Sequence, residues 1–183
     1  MTLKLSTLAV LLGLGLGLPQ IYGLINPAAY AAALRKFPRS LPCGIFLMLL
    51  GTAWFLWNLS QESISDFASY KSVLEFGFAG IGLASCVFVQ DFLAVRGLAV
   101  VLLLLARLMV DTGRPALGAT HWVLVIQVWA YLFVVAGIWF TVSPWRMRDL
   151  VEWATATEQR VRSGCAIRLA FGLFVAVLGL ARF

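Results

Sequence analysis

An all-α, polytopic transmembrane helical bundle of about six spans, with two interfacial amphipathic helices, is the fold class this sequence predicts. One observation is the set of apolar stretches at residues 5–25, 41–59, 73–89, 93–110, 122–142 and 164–180, each near the roughly 20 residues that a helix needs to cross hydrocarbon. Another is bulk composition. The 183 residues are 62% hydrophobic and 12% charged, with a mean hydropathy of +0.94, against about 45–50% apolar and about 25% charged in a water-soluble domain. Barrel strands are excluded by length, since each would be about 9–11 residues with strict alternation.

The first stretch follows Lys4 and imitates the basic and apolar regions of a secretory leader, but no clean small-x-small site closes it, so a retained span is expected. Gly13 and Gly17 within it satisfy the four-residue rule for close helix approach. Pro19 removes a backbone donor and is expected to kink this span.

An elbow comes next. Asn26 and Pro27 pair an N-cap residue with proline at the first helical position, and predict a short interfacial helix over 28–37, stopped by Pro38. Span two leads to a polar connection, 60–72, with Glu62 and Asp66. Spans three and four form a central hairpin, and Gly77, Gly80 and Gly82 mark span three as a packing helix.

Span five carries Trp129 at mid-depth, which is read as a packing residue. A second elbow, Ser143 with Pro144, then starts a longer interfacial helix in which Met147, Leu150, Val151, Ala154 and Val161 recur at helical spacing. Arg148 to Glu152 and Glu158 to Arg162 are four-residue charge pairs on its other face. Trp145, Arg146, Arg148 and Trp153 are the side chains expected at headgroup level. Span six opens on Gly164 and Cys165, with Gly172, Ala176 and Gly179 as close-approach positions.

Orientation follows from cation placement. Arg35, Lys36, Arg39, Arg96, Arg146, Arg148, Arg160, Arg162 and Arg168 lie on one side or just inside it, nine of the 14 cationic residues; Lys4, Lys71, Arg107, Arg114 and Arg182 lie on the other. Both termini are therefore expected outside a cytoplasmic (inner) membrane. The net charge of +6 is read as attraction to anionic inner-leaflet lipids, with no nucleic acid required. The whole of 1–183 is expected to form one integral membrane domain. The two elbows suggest parallel repeat units, 3–59 and 123–183, around the hairpin 73–112.

Ionisable groups at membrane depth mark candidate sites, because each costs several kcal/mol unless paired or wet. Glu75, Arg107, Asp111, His121 and Gln127 fall at similar depth on the outer side, and predict an outward-facing polar cluster. Other chemistry has little to stand on. A single histidine excludes bis-His haem ligation within the chain and disfavours a metal site, and no cofactor is expected. Cys43, Cys86 and Cys165 are too scattered for a CxxC site and are read as packing residues. No strand or Lys-Ser/Thr accompanies the glycines of span one, which rules against a phosphate loop. The serine–histidine, paired-aspartate and HExxH sets of intramembrane proteases do not occur.

These features predict a non-enzymatic structural or accessory component of a membrane complex, gripping lipid or a membrane protein partner, or forming a homo-oligomer. The alternative is a small oligomeric transporter or channel with the outer polar pocket near its path.

Overall fold

The computed structural model describes residues 4–62, 70–118 and 120–183. Asp66 and most of the connection 60–72 lie outside the described residues. The fold is 88% helical without strands among those residues. Its helices are α1 (Leu5–Ile25), α2 (Pro27–Lys36), α3 (Leu41–Gln61), α4 (Lys71–Phe88), α5 (Leu93–Gly113), α6 (Val123–Val142), α7 (Trp145–Ala154) and α8 (Glu158–Ala181). Six of them, all but α2 and α7, are long and apolar enough to cross a membrane. The chain is a multi-pass membrane protein.

Both elbows are held by backbone hydrogen bonds. The Asn26 N–H donates to Tyr22 at 2.8 Å while its carbonyl accepts from Tyr30 at 3.0 Å, so one residue ends α1 and starts α2. Ser143 repeats the arrangement, donating to Trp139 at 2.8 Å and accepting from Arg146 at 3.1 Å. Helix α1 runs through Pro19 without ending.

The second elbow differs from the sequence expectation at its far end. Helix α7 stops at Ala154 and α8 starts at Glu158, six residues before Gly164, so Glu158, Val161 and Arg162 belong to the long helix. The cause is local. Thr157 is extended and its hydroxyl accepts from the Arg160 N–H at 3.3 Å, an N-cap, and Glu158 places negative charge on the first turn.

The chain divides into two compact units, the first comprising Met1–Lys36, Leu105–Val134 and Arg148–Phe183, the second Phe37–Leu104 and Val135–Met147. In the first, α1 and α8 touch backbone to backbone. A Cβ on Gly13 would strike the Gly172 carbonyl and come within 2.7 Å of the Ala176 nitrogen; one on Gly172 would come within 2.6 Å of the Gly13 carbonyl oxygen. Lipid tails are as apolar as leucine, so such contact supplies the van der Waals energy that burial from water would otherwise provide. Leu8, Ala9, Met109, Ile126, Trp129 and Val175 form the core of this unit. The Trp129 ring meets Phe171 edge-on, with centroids 5.2 Å apart.

In the second unit α3 and α5 pair in the same way. A Cβ on Gly44 would lie 2.7 Å from the Ala94 nitrogen, and one on Gly97 would lie 2.8 Å from that of Met48. Val95, Ala99 and Phe140 make its core, with Phe92 against them. Helix α4 packs on α3 through Gly82, which fits over Thr52, and through Phe78, edge-on to Phe55 at 4.9 Å. Gly77 and Gly80 face open space, as does Gly15 of α1. Gly77 and Gly80, both expected at helix contacts, thus stand on uncovered faces.

Candidate functional site

Of the five polar residues singled out from the sequence, Arg107, Asp111 and Gln127 have partners close by. Asp111 lies between two guanidinium groups at the end of its own helix, with Arg107 Nε at 3.5 Å and Arg114 Nη2 at 3.9 Å. The Arg107 and Asp111 side chains are about half exposed. Gln127 is buried and donates from Nε2 to the Val110 carbonyl at 3.3 Å. Gly113 makes room for it, since a Cβ there would lie 2.6 Å from that nitrogen. His121 is exposed in the turn before α6. Glu75 is half-buried on α4, in the second unit, whereas the other four belong to the first.

The four residues expected at headgroup level, Trp145, Arg146, Arg148 and Trp153, all stand on α7. Arg148 meets Asp149 at 3.0 Å and Glu152 at 3.9 Å. Arg160 of α8 stacks over the Trp153 ring at 5.3 Å and donates to the Trp153 carbonyl at 3.3 Å. Trp145 and Arg146 are exposed.

A second polar assembly, not anticipated from the sequence, lies where α1, α2 and α8 meet. Gln20 is 5% exposed. Its Nε2 donates to the Leu16 carbonyl at 3.1 Å, which directs Oε1 away from its own helix. That oxygen accepts twice, from the Tyr30 hydroxyl at 3.1 Å and from Arg168 Nη1 at 3.4 Å. The two donors use both of its lone pairs. Cys165 completes the group, and Gly23 makes room for it: a Cβ at Gly23 would lie 2.5 Å from Sγ and 3.1 Å from the Tyr30 ring.

Burial pushes the Tyr30 phenol above its ordinary value, and the Cys165 sulfur adds to this. Arg168 and the bond to Gln20 pull the other way. Helix α2 is fixed here by Ala31 and Tyr30, which pack with Leu24, Val161 and Cys165. The sequence signal was present in two places, a glutamine and an arginine each inside an apolar stretch. What it lacked was the pairing, across 148 residues.

No family model, curated protein or solved structure matches the chain. Its chemistry therefore rests on these residues alone. No group of three or more His, Cys, Asp or Glu able to hold a metal occurs among the described residues. An open groove of about 440 Å³ runs between α6 and α8, lined by apolar side chains that include Val128, Trp129, Phe171 and Phe174.

Proposed function

We propose that this protein is a non-enzymatic structural or accessory component of a membrane complex, seated in the cytoplasmic (inner) membrane with both termini outside. In this reading α2 and α7 lie at the inner interface, where their cations meet anionic lipid headgroups. The observation that carries it is the coverage of α4. Only 6% of its apolar window is buried, against 33% for α1 and 44% for α5. On its uncovered side Val73, Gly77, Gly80, Ala84 and Val87 recur at helical spacing.

Glycine facing lipid gains no packing and is a weak helix former, by about 1 kcal/mol relative to alanine in water. Facing another helix, the same residue permits close approach. The uncovered stripe is therefore assigned to a partner helix, from a different membrane protein or a second copy. The transport alternative has less support, because Gln127 and Asp111 are already engaged by groups next to them.

A photo-crosslinking residue at Gly80 tests the reading in intact membranes, with one at Phe46 of α3 as reference. The expected result is a discrete protein adduct from Gly80, whose mass separates self-association from a second protein. Lipid adducts alone at Gly80 would overturn it.

A further inference from the structure

We propose that Arg168, held by Gln20, binds the phosphate of an anionic phospholipid headgroup. The inference rests on the bilayer placement above, but not on a partner at α4. Arg168 lies within α8 and carries a planar guanidinium cation. Its side-chain hydrogen-bond partner, Gln20, is neutral, and the Tyr30 hydroxyl shares the same Gln20 oxygen. No carboxylate is within ion-pair distance of it among the described residues, whereas Arg107, Arg114 and Arg148 each have one. An uncompensated cation at membrane depth costs several kcal/mol, so an anion from outside the chain is strongly favoured.

The geometry says where that anion would sit. Gln20 Oε1 holds Nη1, while Nη2 is turned back along α8 toward Gly164. A Cβ built on Gly164 would lie 3.5 Å from Nη2 and would meet nothing within 4 Å but this guanidinium. Beside Nη2, the space at Gly164 is thus free of any other side chain outside its own turn. It lies one helical turn from Arg168 toward the start of α8, the direction in which a long cationic side chain reaches headgroups. Guanidinium binds phosphate oxygens through paired donors, which suits a phosphodiester held at that level.

The test uses the full chain, delipidated in neutral detergent, with phosphatidylglycerol, phosphatidylcholine or inorganic phosphate added separately. Native mass spectrometry counts retained lipid and thermal unfolding reads stabilisation. The expected result is one tightly retained phosphatidylglycerol and a raised Tm, with affinity reduced at least tenfold in R168L and several-fold in Q20L. Gly164→Val keeps the arginine and closes the space above it, so it separates binding from folding should R168L fail to assemble; it too should lose the lipid. Retention in G164V or R168L equal to that of the unaltered protein would overturn the proposal, as would equal stabilisation by phosphatidylcholine. A shift reproduced by inorganic phosphate, with no lipid retained, would keep the phosphate chemistry and remove the lipid.

Discussion

Arg35 closes the C-terminal end of α7: its Nε donates to the Thr155 hydroxyl at 2.8 Å and its Nη2 to the Thr155 carbonyl at 2.6 Å, across 120 residues of sequence. The last carbonyls of a helix have no partner within it, and a cation placed there is favoured by the helix dipole. Thr155 is 5% exposed, and its hydroxyl also donates to the Val151 carbonyl at 2.7 Å. One side chain thereby fastens α2 to α7 and marks the turn into α8.

Replacing Arg35 by alanine should therefore destabilise the protein by about 1.5–3 kcal/mol, the range for hydrogen bonds to a charged group. Thr155→Val, which spares the carbonyl, should cost about 1 kcal/mol. Thermal unfolding in detergent, with limited proteolysis between α7 and α8, checks both. Faster cleavage in R35A is expected.

Gly13 and Gly15 should respond in opposite senses to alanine. At Gly13 the added methyl meets the Gly172 carbonyl and has nowhere to go, so overpacking should cost about 1–3 kcal/mol. At Gly15 nothing lies within 4 Å, and the better helix propensity should gain up to about 1 kcal/mol. Reversible unfolding of the two variants side by side gives the comparison.

Arg107→Leu should leave assembly and abundance unchanged and shift stability by less than about 1 kcal/mol, because the ion pair it removes is about half exposed. A large loss of assembly in this variant would restore the case for a polar cluster around it.

Alkaline pH should weaken the contact of α2. The folded pKa of Tyr30 is raised, so the folded state favours the neutral phenol. Stability from this residue is complete below the unfolded value of about 10 and is lost as pH rises through the folded value. Tyr30→Phe should remove that component, so the difference in Tm between the two proteins should change as pH rises above about 10. Tyrosinate absorbance identifies the group.

The spans are legible in the sequence because hydrocarbon imposes a length and a composition that few soluble helices share. Leu5–Ile25 and Val123–Val142 fall within a residue of the apolar stretches that announce them. The start of α8 is harder to read, since the charge pair Glu158 to Arg162 fits the end of an interfacial helix as well as the first turn of a span. Thr157 followed by Glu158 was the signal that decides it. Glycine spacing shows which positions permit close approach, but not which face is covered: Gly82 meets Thr52, whereas Gly77 and Gly80 meet nothing. For the polar residues, the sequence supplies depth without direction. Gln127 and Asp111 find partners close by, while Gln20 and Arg168, unremarkable separately, converge through the pairing of α1 with α8.

That pairing also sets an order of events during synthesis. The backbone surface of Gly13 is completed by Gly172, and at about 5–20 residues per second roughly ten to thirty seconds of translation separate the two. Through that interval α1 sits in the membrane without the helix that fits it. A ribosome that stops short of α8 leaves a chain whose glycine seam on α1 has nothing to fill it.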